Sequence, residues 1–73
     1  MTLPDLTLDV RGLPAPEPLE RCLEALAGLR AGQCLQLLID REPHPLYAIL
    51  DRGGFGHECA FEGPHYRVTI RHA

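Results

Sequence analysis

Apolar residues along this chain switch repeatedly between a spacing of two and a helical spacing, and that switching leaves few folds open. Leu6, Leu8 and Val10 alternate with Thr7 and Asp9, the pattern of a half-buried strand. Gly12 ends it, and the turn Pro14-Ala15-Pro16-Glu17-Pro18 follows. Proline suits the first turn of a helix, where the amide groups have no intrahelical partner to lose. Leu19, Cys22, Leu23, Leu26 and Arg30 then fall at helical spacing, with Glu17, Glu20 and Glu24 elsewhere on the surface. Acids near the start and Arg30 near the end match the helix dipole, and Gly32 is the expected stop. Alternation returns at Leu35, Leu37 and Ile39, before a stiff polar turn, Asp40-Arg41-Glu42-Pro43-His44-Pro45. Leu46, Ile49 and Leu50 mark a short second helix closing at Gly53-Gly54. Cys59 and Phe61, then Tyr66, Val68 and Ile70, share one parity around Glu62-Gly63-Pro64, which reads as a terminal β-hairpin.

Two strands joined through a helix form a βαβ unit with parallel pairing. On the opposite parity stand Thr7, Asp9, Gln36, Glu58, Glu62, Arg67, Thr69 and Arg71, with Leu38 and Ala60 as apolar exceptions. That face meets water, so both helices must cover the other. The expectation is a single domain over residues 1–73. It is an α/β fold, a two-layer sandwich of βαβαββ order, with a mixed four-stranded sheet and two helices on one face. A chain this short has one core, and such domains rarely enclose a substrate cavity of ~300 Å³ or more.

Charge and composition narrow the function classes. All seven positive side chains are Arg, scattered between ten acids, for a net charge of −3. No basic stripe forms, so no nucleic-acid partner is expected. No apolar run approaches the ~20 residues of a membrane span, so no membrane partner is expected either. Residues 1–5 lack the basic and apolar regions of a signal peptide. Cys22, Cys34 and Cys59 are odd in number and widely spaced, which suits a reducing compartment; the expected location is cytoplasmic.

The segment from Leu8 to Pro18 carries a recognisable pattern: Leu8-Asp9, two residues, Gly12-Leu13, one residue, then Ala15-Pro16-Glu17-Pro18. It resembles the signature of the TusA-like (SirA-type) sulfur carriers, in which the position of Ala15 is the cysteine of Cys-Pro-x-Pro. The βαβαββ order agrees with that family over essentially the whole chain. A thiol at a helix mouth faces unpaired amides and the positive dipole end, which stabilise a thiolate or persulfide. Ala15 offers only a methyl group. Asp40 to Tyr47 and Gly63 to Val68 look like an uncharacterised TusA-related subgroup lacking that cysteine, sometimes found with hemerythrin-like domains or near nitrogen-oxide metabolism.

The layout brings the ends of the first two strands and both helix starts to one edge. Arg11, Pro14, Ala15, Pro16, Glu17, Asp40, Arg41 and His44 are the candidate binding residues there, with Glu42 nearby. Helix starts beside Arg favour anions, so a carboxylate, a phosphate or an acidic segment of a protein partner is expected to dock. The competing reading is a solvated loop with Arg41 paired to Asp40 or Glu42. No phosphate loop and no nucleophile–base pair is present, so the expected role is non-enzymatic and needs no cofactor. Two alternatives stand beside it. One is sulfur-transfer or redox work by Cys22, Cys34 or Cys59, which read more simply as small buried hydrophobes. The other is metal or haem ligation by His44, His57, His65 or His72, with His57 and His65 meeting across the hairpin near Cys59.

Overall fold

In the computed structural model, which describes residues 4–72, six elements follow the expected order. They are β1 (Leu6–Asp9), α1 (Glu17–Ala27), β2 (Cys34–Ile39), α2 (His44–Arg52), β3 (Phe55–Phe61) and β4 (Tyr66–His72). The expectation about a leader peptide falls partly on residues 1–3, outside the described residues. The open sheet has the order β1-β2-β4-β3. β1 pairs parallel with β2, and the two remaining pairings are antiparallel. One inward row therefore runs Leu8, Leu37, Val68, Cys59 across the sheet. Leu35, Leu37, Val68 and Ile70 pack against Cys22 and Leu26 of α1 and Leu46 and Leu50 of α2, all buried. The far face carries a polar ladder: the Thr69 hydroxyl donates to Gln36 Oε1 at 2.9 Å, and Arg67 meets Glu62 at 2.9 Å. Among the described residues no helix is long and apolar enough to cross a membrane.

Three details depart from the sequence reading. α1 stops at Ala27, where the Gly28 amide bonds the Ala25 carbonyl and the Leu29 amide bonds the Leu26 carbonyl, so Arg30 lies beyond the last turn. The chain leaves the helix because Leu29 turns into the core and Gln33 binds the turn. The Gln33 side chain, also buried, accepts from the Arg30 amide and donates to the Pro4 carbonyl, both at 3.0 Å. β3 starts at Phe55, well before Cys59, because the Phe55 ring lies against Gly53, where a Cβ would stand 2.9 Å from it. Cys59 has the inward parity expected of it but is exposed, and Cys34 is half-buried on the polar face. β3 is an edge strand, and α2 covers only its first half, where Tyr47 stacks on His57. Inward parity alone does not bury a residue there.

Candidate functional site

The site grows from the turn between β1 and α1. Gly12 takes φ +79°, open to glycine without strain, and its amide donates to Asp40 Oδ2 at 2.7 Å. That bond ties the turn to the end of β2. Beside it opens a cleft of about 500 Å³ lined by Val10, Gly12, Leu13, Pro14, Ala15, Pro18, Ile39, Asp40 and Arg41. A second trough of about 260 Å³ continues between the two helix mouths, lined by Ala15, Pro16, Pro18, Leu19, Leu37, Ile39, Pro43, Pro45 and Leu46. Ala15, Pro18 and Ile39 line both, so the two form one groove, with Ala15 where the polar half meets the apolar half. The size limit expected from chain length does not apply, because this is an open groove between helix ends and not an enclosed cavity.

The expected binding residues divide in two. Pro14, Ala15, Pro16, Asp40 and Arg41 line the groove. Arg11, Glu17 and His44 do not. Arg11 is held by Asp9, with Nε 2.9 Å from Oδ1 and Nη2 2.7 Å from Oδ2, and its Nη1 lies 3.4 Å from His65 Nδ1. The Arg11 side-chain and backbone donors hold the Asp9 carboxyl down at about 2. His44 stands beside Glu42, its Nε2 3.5 Å from Oε1, edge-on to the Tyr47 ring. Glu17 is half-buried, and its amide bonds the Pro14 carbonyl.

Arg41 is different. It is exposed, and among the described residues no carboxylate pairs with it. Asp40 is occupied by the Gly12 amide, and Glu42 Oε2 accepts from the Tyr47 hydroxyl at 3.1 Å. Pairing of Arg41 with either acid, the solvated-loop alternative, is not formed. Burial, with the Cys59 thiol and the Glu42 carboxylate alongside, pushes the Tyr47 hydroxyl upward, so it remains a donor.

The helix mouths are poor in amide donors. Pro16 and Pro18 have none, and the Glu17 and Glu20 amides already bond the Pro14 and Pro16 carbonyls. At most the Ala15 and Leu19 amides remain at α1. At α2 the His44 and Leu46 amides bond Glu42 and Pro43, and Pro45 has none. The apolar side of the groove, from Leu19, Pro43, Pro45 and Leu46, was not in the sequence reading. The signal for it was the spaced prolines before both helices.

The alternative residues lie elsewhere. Cys22 is fully buried in α1, and burial pushes its thiol up to about 11, which suppresses the thiolate. Cys34 and Cys59 lie in strands, so no cysteine stands at a helix start. His57 and His65 do not meet across the hairpin: His57 faces Ile70, four residues up β3 from the turn end. His57 Nε2 contacts Asp51 Oδ1 at 3.0 Å, His65 Nε2 contacts Glu62 Oε1 at 2.9 Å, and His72 Nε2 donates to the Leu29 carbonyl at 2.8 Å. Among the described residues no three His, Cys, Asp or Glu side chains gather to hold a metal ion.

Comparison with known proteins agrees with this architecture. The family model described as "uncharacterized conserved protein (DUF2249)" matches residues 7–72. A crystal structure of a SirA-like protein from Desulfitobacterium hafniense is similar at 29% identity and a TM-score of 0.76, over 89% of this chain and 93% of that one. Comparison with curated proteins gives no match. With its two helices, open mixed sheet and proline-framed helix mouth, the chain belongs to the uncharacterized conserved family DUF2249, within the TusA/SirA-like superfamily.

Proposed function

We propose that this domain is a non-enzymatic, TusA-like accessory module without a persulfide cysteine, and that it binds a short segment of a protein partner between its helix mouths. The observation that carries this reading is the continuous groove, with the unpaired Arg41 guanidinium in its polar half and a proline- and leucine-lined apolar half beyond Ala15. A segment with an acidic group next to an apolar side chain matches both halves at once. A guanidinium recognises a carboxylate through two parallel hydrogen bonds, and proline rings give a rigid apolar floor that loses little entropy on binding. A free small anion fits less well, because the prolines remove the amides that hold anions at helix starts. A methyl group at residue 15 supplies no nucleophile for sulfur carriage. A reducing, cytoplasmic setting suits the three free cysteines.

The test is affinity capture from native lysate with the wild-type domain and two groove variants. Arg41→Ala removes the guanidinium and Leu19→Gln makes the apolar wall polar. Each should lower capture of any specific partner by about tenfold, a loss of about 1.4 kcal/mol, with helix content unchanged by circular dichroism. Equal capture by all three proteins would remove the groove from consideration.

A further inference from the structure

The sheet has two free edges, and they are unlike. β1 offers four residues, while β3 offers seven. β3 pairs with β4 without a bulge from Phe55 opposite His72 to Phe61 opposite Tyr66, and it contains no proline or lysine. Unpaired amides and carbonyls on such an edge template a further strand, and proteins usually guard them with charge, proline or a bulge. The guard here is a single carboxylate, Glu58. Beside it Cys59, Ala60 and Phe61 are exposed; Phe61 is 65% exposed, its ring tilted against Tyr66 at 5.0 Å.

We propose that β3 is the docking edge for a second copy of this chain, pairing antiparallel with that copy's β3 about a two-fold axis at Cys59. Charge and pleat select the register. A strand that continues the sheet must set helix-side residues opposite helix-side residues. Centring on Glu58 puts two carboxylates face to face. Centring on Ala60 sets Glu58 against the second copy's Glu62, twice. Centring on His57 leaves Phe61 bare. Centring on Cys59 avoids all three: Glu58 faces Ala60, Phe61 faces His57, and Glu62 faces Gly56 of the other copy. Gly56 has no side chain, and Arg71 lies over it, its Cγ and Nε both 3.4 Å from where a Cβ would stand. Within each copy Arg71 lies 3.4 Å from Glu58, and Glu62 is held by His65 and Arg67 at 2.9 Å. This register brings Glu62 of each copy beside Arg71 of the other, so the two ion-pair clusters join with opposite charges across the strands. The groove draws its strand residues, Leu37 and Ile39, from β2, with Val10 just past β1, away from this edge, so the dimer leaves both grooves open. The inference does not depend on what the groove binds.

The register has a built-in reporter. Directly opposed residues in antiparallel strands have Cα atoms about 4.5–5.5 Å apart, inside the range of about 4.4–6.8 Å that a disulfide spans. Sedimentation of the reduced domain should show a concentration-dependent dimer. Diamide accepts two electrons and two protons from the paired Cys59 thiols and becomes the hydrazine, leaving one disulfide; peptide mass mapping should find the bond between the two Cys59 residues. Cys59→Lys opposes like charges and should weaken the dimer by about tenfold. Phe61→Ser, at an exposed position, should weaken it in the same direction with the fold intact. A monomer at every concentration, a diamide cross-link through Cys34 in place of Cys59, or a dimer indifferent to both substitutions would overturn the proposal.

Discussion

Ala15→Cys restores a thiol to the helix mouth, and the structure sets how far its pKa should fall. Residue 15 is exposed and precedes Pro16, the α1 N-cap, so the substitution adds one sulfur facing the groove without disturbing the core. A charge at a helix terminus gains about 0.3–1 kcal/mol from the dipole. At 1.36 kcal/mol per unit, that lowers the thiol by roughly 0.2–0.7 units from its free value of about 8.5. Two opposing influences flank it: Arg41 lines the same cleft and favours the thiolate, while Glu17 and Glu20 in the first turn oppose it. Depressions to about 3.5–7.5 arise where positive charge or amide donors crowd a thiol. The prolines remove most amides here, so the expected drop is about half a unit. The assay is the pH dependence of iodoacetamide alkylation in a Cys34→Ser, Cys59→Ser background; Cys22 stays silent in the core. A thiol titrating at or above the free value would refute the helix-mouth placement. A drop of several units would refute the donor depletion argued from Pro16 and Pro18.

Other consequences follow from single contacts. Asp40→Ala removes the acceptor of the 2.7 Å bond from the Gly12 amide and should cost about 1 kcal/mol, the site being exposed. A thermal scan should show this as a fall in Tm of roughly 4–8 °C. Leu50→Ala empties a fully buried position and should cost about 2–5 kcal/mol by urea denaturation with little change in m. Asp9 has a folded-state pKa of about 2 against an ordinary 3.8. Its contribution is therefore complete above the higher value and is lost as pH falls through the lower one. Asp9→Asn should flatten the stability profile between those two values and leave its slope near neutrality unchanged.

Much of the fold was legible because burial here follows local period. Leu35 and Leu37, or Val68 and Ile70, alternate in sequence and share one face in the sheet. The end of α1 was not legible. Leu29 keeps the apolar phase although the chain has left the helix, and the Gln33 contacts that turn it reach back 29 residues to Pro4. The first half of β3 was equally hidden: Gly56 and His57 show no alternation, and His57 is set by stacking on Tyr47 at 4.8 Å. At the site, convergence of the strand ends and helix starts was enough to assemble Pro14, Ala15, Asp40 and Arg41. Arg11 failed to join them because Asp9, two residues back, captured it, and His44 turned toward Glu42. The prolines before both helices supply the apolar wall and are visible in the sequence, but how close the two helix mouths stand is a tertiary distance that no local pattern reports.

A partner segment seated in the groove at Ala15 lies within reach of a photocrosslinker carried by that residue. A benzophenone side chain placed at residue 15 should cross-link one protein species in native lysate. The same group at Glu24, exposed on α1 and absent from the groove lining, should not. Excess unlabelled wild-type domain should compete the residue 15 adduct away, and excess Arg41→Ala domain should compete far less. Identical adducts from residues 15 and 24, or equal competition by both domains, would contradict the account.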